Sequence, residues 1–224
     1  LEARAYYELA FWGGGHVLQF AWTLLLLVAW LLLADASGVR VPISPRVVAL
    51  LFGIQLVAVF ATTLVYLAYD VTSVEHHRLQ TWLMRIGGAL AIPVVAAAVA
   101  LGLARRARGG PVPVQARPLL AALVVSLALF GTGGMIGFLI EGSNVKIPAH
   151  YHGAIVGVTI ALMGLTYWLL PRLGAAAPRA KLAVWQSVLY GAGQVMHISG
   201  LLWSGGYGVQ RKVAGGEQVL RTTG

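Results

Sequence analysis

Residues 10–34 read AFWGGGHVLQFAWTLLLLVAWLLLA, without one Asp, Glu, Lys or Arg. About 20 such residues cross the hydrocarbon core of a bilayer as a helix. Five further apolar stretches follow, at 47–69, 83–104, 118–140, 149–170 and 182–203. A chain that is 58% hydrophobic and only 10% charged cannot cover itself with polar surface. The expected fold is all-α: a polytopic transmembrane bundle of six spanning helices, forming a single membrane domain over residues 1–224 and part of a larger core subunit. The chain begins at Leu1 with no initiator Met and no charged-then-apolar leader, as expected of a processed chain or a piece of a longer one.

Charge then orients the bundle. The formal net charge is +9, and in a membrane chain such an excess reports topology rather than nucleic-acid binding. The loops after the first, third and fifth segments carry Arg40, Arg46, Arg105, Arg106, Arg108, Arg117, Arg172, Arg179 and Lys181. Those after the second and fourth carry Asp70, Glu75, Arg78, Glu141 and Lys146, which nearly cancel. The positive-inside rule places the first set in the cytoplasm. The chain is expected in the inner (plasma) membrane of a prokaryote as a multi-pass protein.

All six histidines then fall at the other face. His16 stands early in the first segment, His76 and His77 just beyond the second, His150 and His152 at the start of the fifth, and His197 late in the sixth. A single intramembrane histidine often bonds a neighbouring carbonyl and nothing more. Six at one depth point instead to a metal site, because imidazole is the usual protein ligand for haem iron, copper and non-haem iron. With no cysteine, thiolate sites and Cys-attached haem are excluded. Helical residues turn by about 100° each, so His150 and His152 point about 200° apart and serve two different metals, one on each side of their helix. The adjacent His76 and His77 sit at a helix end, where the backbone can bend to grip one ion with His16 as third ligand. Three neutral imidazoles with an open position suit copper or iron that binds a small gas.

The motifs GGGHVLQF, VEHHRL and AHYHGAIVGVTIALMGLTYWLLPRLG resemble the haem-copper oxidase superfamily, which includes cytochrome oxidases and nitric oxide reductases. They stand in that family's order and on its helices, and the chain resembles the second half of the core subunit, its sixth to eleventh helices. The resemblance implies that His16, His76 and His77 hold CuB, or non-haem iron in the reductase branch. It implies that His150 is the proximal ligand of a high-spin haem and His152 an axial ligand of a low-spin haem, whose second histidine lies outside this chain. It also implies that Arg211 and Lys212 bind haem propionates, and His197 is similar to a histidine that many members carry on the eleventh helix. Many oxidases carry a tyrosine four residues after the first copper ligand, and nitric oxide reductases a glutamate; here that position is Phe20, with Gln19 beside it. In one oxidase branch the tyrosine stands on the following helix, which makes Tyr69 the expected catalytic tyrosine.

Segment three is nearly all apolar, which argues against a cytoplasmic proton path through it. Asp70, Glu75 and Glu141 are either proton carriers on the positive side or ordinary loop carboxylates. The expected function is an oxygen-reducing terminal oxidase core subunit; nitric oxide reduction at a haem/non-haem iron centre is the near alternative. A non-catalytic membrane cytochrome b has no need of the His-His pair, and a metal transporter would favour carboxylates or thiols along a path. Expected partners are lipid, the remaining half of the core subunit or another subunit, a cytochrome c-type or quinol donor, and oxygen or nitric oxide, with no nucleic acid.

Overall fold

The computed structural model describes residues 3–213. These residues form seven α-helices: α1 (Ala3–Ala36), α2 (Pro45–Ala68), α3 (Val74–Trp82), α4 (Ala91–Ala107), α5 (Arg117–Gly137), α6 (Lys146–Leu169) and α7 (Ala180–Gly206). A π-helical segment, Leu83–Gly88, joins α3 to α4. No strand forms among the described residues; a single isolated bridge pairs Asn144 with Gln210.

Among the described residues, five stretches are long and apolar enough to cross a membrane: Tyr6–Ala36, Pro45–Ala68, Val74–Ala107, Val114–Gly137 and Lys146–Leu173. The sixth expected span is present as α7 but is less apolar, since Gln186, Gln194 and His197 interrupt it. The third span starts earlier than its hydropathy indicates. Ser73 caps α3, its Oγ accepting from the His76 N–H at 3.1 Å, and Glu75 lies in the positive first turn. The polar run VEHHRLQT is therefore helix, continuous with the apolar stretch after it.

The chain divides into two compact units. The first comprises residues 1–31 and 39–109, the second residues 32–38 and 110–224. In the first, α2 buries Leu51, Gln55, Ala58, Thr62 and Val65, a repeat of three and four residues that is one face of a helix. Opposite lie His76, Gln80 and Gly87 from α3 and the π segment. Gln80 Nε2 donates to Thr62 O at 3.3 Å, and Gln55 Nε2 donates to Gly88 O at 2.7 Å. Hydrogen bonds between helices satisfy polar groups that lipid cannot. The outer face of α2, with Leu50, Val57, Phe60, Leu64 and Leu67, is exposed, as a lipid-facing surface is.

In the second unit, α5, α6 and α7 pack together. Close approach comes from glycine: a Cβ added at Gly153 would stand 2.8 Å from Gly133 Cα, and one at Gly157 would stand 2.8 Å from the Phe130 backbone. Gly133 faces Gly153 where the two helices cross and Gly157 lies against the Phe130 backbone, small-residue contacts that let membrane helices touch backbone to backbone. Ser126 Oγ donates to Gly157 O at 2.6 Å within the same seam. After α7, Val145 N–H donates to Val209 O at 3.0 Å, which ties the stretch before Arg211 to the start of α6.

Candidate haem and metal centre

In the first unit, α1 brings Trp12, Gly13 and His16 against the start of α3. The indole of Trp12 stacks on His77, ring centroids 4.1 Å apart, and touches His16 at 4.5 Å. His16 Nδ1 pairs with the Trp12 carbonyl one turn back. The His76 ring lies close to Gly13, where an added Cβ would be 3.4 Å from its Cε1. His76 is 1% exposed, and its Nε2 has no hydrogen-bond partner among the described residues. An unsatisfied buried nitrogen costs about 1–3 kcal/mol, and a metal ion is one partner that removes that cost. The donor chemistry at this corner therefore fits a copper or iron ion.

The three rings are gathered on one aromatic scaffold but not onto one point. Among the described residues no three His, Asp or Glu side chains lie close enough to hold one ion. The expected convergence of His16, His76 and His77 is thus incomplete: two of the rings pack on Trp12, and the third on Tyr66. His76 and His77 stand beyond the end of α2, inside the first turn of α3.

Tyr69 does not join them. Its approach to the His76 level required α2 to stay regular towards Val74, but α2 ends at Ala68. Tyr69 has extended backbone (φ −131°) and is 41% exposed. The tyrosine that meets the cluster is Tyr66, edge-on to His76 with centroids 4.6 Å apart. Its hydroxyl donates to Ala10 O at 3.1 Å, filling the space that a side chain at Gly13 would take. Trp12 and Tyr66 were missed from sequence. The available signals were Trp12 at one turn before His16 and Tyr66 at the spacing of the buried face of α2.

The loop before α3 is built by its own polar groups. Asp70 accepts from the Thr72 hydroxyl at 2.6 Å and from its N–H at 2.8 Å, and Ser73 Oγ donates to Asp70 O at 2.7 Å. The Thr72 side-chain bond, then its backbone bond, holds the Asp70 carboxyl below its ordinary pKa. Glu75 occupies the first turn of α3, and Glu141 follows α5 in the turn before α6.

In the second unit, His150 and His152 leave α6 in different directions. His150 Nδ1 pairs with Gly133 O on α5 at 2.7 Å, and the ring occupies space left open by Gly137. A ring nitrogen committed to a backbone carbonyl fixes the tautomer and leaves Nε2 to a metal, the usual arrangement of metal-bound histidine. His152 instead meets His197 on α7, ring centroids 5.0 Å apart and nearly perpendicular. His197 thus neighbours His152 edge to face. Arg211 and Lys212 lie in the turn beside the Asn144–Gln210 bridge, at the end of α6 that carries the two histidines; Lys212 has φ 61°.

A sequence profile of the family described as "Cytochrome C and Quinol oxidase polypeptide I" matches residues 3–223. The chain belongs to this family. It is a haem-copper-oxidase-type subunit I chain and a multi-pass membrane protein. It is 30% identical over 251 residues to an uncharacterized protein of Rickettsia prowazekii (strain Madrid E), covering 95% of this chain and 48% of that protein. It is also 30% identical over 171 residues to an uncharacterized protein of Aquifex aeolicus (strain VF5), covering 75% of this chain and 40% of that one. The chain thus spans about half the length of the curated relatives it matches. No solved structure matches it.

Proposed function

We propose that this chain carries the gas-reducing centre of a respiratory terminal oxidase, in which oxygen is reduced at a high-spin haem and CuB with electrons from a low-spin haem. The supporting observation is the buried imidazole of His76, whose Nε2 lacks a partner among the described residues, within one aromatic corner that also holds His16 and His77. When bound, haem iron and copper would supply electrons and Lewis-acid polarisation to the gas.

The chain's own residues divide the task. His16, His76 and His77 would hold the copper, once their rings draw together from Trp12 and Tyr66 onto one ion. His150, anchored through Nδ1 to Gly133 O, presents Nε2 to the high-spin haem. His152, on the α7 side, would hold the low-spin haem together with a residue of the remaining half of the core subunit or of another subunit. Arg211 and Lys212 neutralise haem propionates, as guanidinium and ammonium groups do. Tyr66, edge-on to His76, supplies a phenol hydroxyl beside the centre. Electrons come from a cytochrome c-type or quinol donor, in the plasma membrane of a prokaryote.

Phe20 favours a second reading, reduction of nitric oxide at a haem/non-haem iron centre, because a phenyl ring supplies no hydroxyl beside the metal. Metal analysis with a reduced-minus-oxidised haem spectrum of the purified complex separates the two: copper and oxygen consumption support the oxidase, a second iron and nitric oxide consumption the reductase. Haem without any metal bound at His76 would leave an electron-relaying cytochrome b. Tyr66→Phe is expected to abolish oxygen consumption at unchanged haem content; survival of oxygen turnover removes Tyr66 from the chemistry.

A further inference from the structure

One cation of the first unit stands inside a membrane span. Arg85 lies in the π segment, within the span Val74–Ala107, and is exposed. Among the described residues it takes part in no hydrogen bond or ion pair. Its depth follows from the bonds across the seam with α2. Gln80 meets Thr62, and Gly88 meets Gln55, so Arg85, between them, stands about level with Val57 and Ala58. Ala58 is ten residues from the end of α2 at Ala68, about 15 Å of helical rise. That is half of a hydrocarbon core about 30 Å thick. At this level α2 exposes Val57 and Phe60, and the helix of Arg85 itself exposes Trp82 and Ile86. The guanidinium thus stands at mid-membrane on an apolar surface.

A charge at that depth is costly in lipid, and such residues face protein or a water-filled cavity and find a partner there. The described carboxylates of this unit are out of reach. Glu75 stands ten residues earlier on the same helix, about 15 Å away. Asp70 and Glu8 lie further out still, past Ala68 and past the bond between Tyr66 and Ala10. Snorkelling to a lipid phosphate serves cations near helix ends, not one with half the core on either side. A planar guanidinium suits a carboxylate in particular, through two parallel N–H donors. The chain spans about half the length of the curated relatives it matches, so in proteins of this kind there is more chain to cover the face.

We infer that Arg85 is the docking point for a membrane-spanning helix from outside this stretch, one that carries an Asp or Glu at mid-depth and pairs it with the guanidinium. The π segment leaves the cation on the outer side of the turn: Gly87 sits on the Ala58 side chain and Gln55 holds the Gly88 carbonyl, so the side towards α2 is occupied. This docking does not depend on which gas the centre reduces, or on whether it reduces one.

Trp82→p-benzoylphenylalanine puts a photo-crosslinker beside Arg85 in the membrane-assembled complex containing the full chain. The expected product is a crosslink to an apolar spanning peptide that contains an Asp or Glu, identified by mass spectrometry. Crosslinks confined to lipid or haem, or to a segment without a carboxylate, overturn the proposal. Charge then tests the pair. Arg85→Glu is expected to lower the amount of that partner in the purified complex by about tenfold or more, and exchanging the partner's carboxylate for arginine is expected to restore it. Loss without restoration, or no loss, overturns the proposal. Arg85→Leu decides if the reversed variant does not fold. A lipid-facing position would accept leucine, so a complex as stable as the parent or more stable overturns the docking, whereas loss of the partner at unchanged helical content upholds it.

Discussion

The seam of the first unit is polar and that of the second is nearly bare backbone. Gln55, Thr62, Gln80 and His76 are all buried between α2 and the α3–π stretch, and interhelical side-chain bonds hold that seam. Between α5 and α6, glycines at 133, 137, 153 and 157 bring the helices together, with Ser126 the one buried hydroxyl. Each way of packing suits the histidine it carries. His150 needs a carbonyl within reach of its Nδ1, and only a glycine-lined helix brings Gly133 O that close. His76 needs a buried place with its Nε2 unclaimed, and the polar groups around it are matched to one another: Gln80 to Thr62, Tyr66 to Ala10.

The contrast can be broken most forcefully at Gly133. Gly133→Leu puts a side chain where Ala154 N stands 2.5 Å from the new Cβ. Overpacking of this kind costs about 1–3 kcal/mol even in a core that yields, and backbone yields less. The expected outcome is loss of folded, haem-loaded protein. Gly134→Leu is the control, because nothing stands within 4 Å of its Cβ, and its melting temperature should stay near that of the parent. Equal damage from both would mean that glycine spacing does not organise the second unit.

The polar seam should be more forgiving. Gln55→Leu removes the donor to Gly88 O, and buried interhelical bonds in membrane proteins contribute about 0.6 kcal/mol on average and about 1.7 at most. A modest drop in thermal stability is expected, with the π segment loosened; hydrogen exchange at Ala89 and Leu90 reads the second effect directly. A collapse as severe as that of Gly133→Leu would erase the distinction between the two seams.

Most of the membrane architecture could be read from the sequence, because hydropathy over about 20 residues is a strong signal. The start of the third span could not. Glu75, His76, His77, Arg78 and Gln80 read as loop by hydropathy, yet Ser73 caps them into helix and burial of His76 and Gln80 keeps them there. The same residues explain the tyrosine. With α2 ending at Ala68 and α3 beginning at Val74, Tyr69 falls in the connection, and Tyr66, one helical step from the buried Val65 and Thr62, meets His76. The opposed directions of His150 and His152 followed from the 100° turn of a helix. Their separate partners, Gly133 O and His197, depend on which helices neighbour α6, and no local pattern encodes that.

The smallest expected effect lies in the loop that sets the cap of α3. The bonds from Thr72 hold the Asp70 carboxyl below its ordinary value, so the ionised form is the one the folded loop favours. Such a group stabilises fully above its unfolded pKa of about 3.9 and loses that contribution as pH falls through the lower folded value. Acid, not alkali, should loosen the turn. Asp70→Ala should therefore reduce hydrogen-exchange protection of the Thr72 and His76 amides at neutral pH, while the difference from the parent shrinks as the solution is acidified below about pH 4. Because Asp70 is exposed, the change should be slight and confined to this loop. Parent and variant curves that diverge in acid would show that the carboxylate does not hold the turn, leaving the Ser73 bonds to His76 N–H and Asp70 O to set the start of α3 alone.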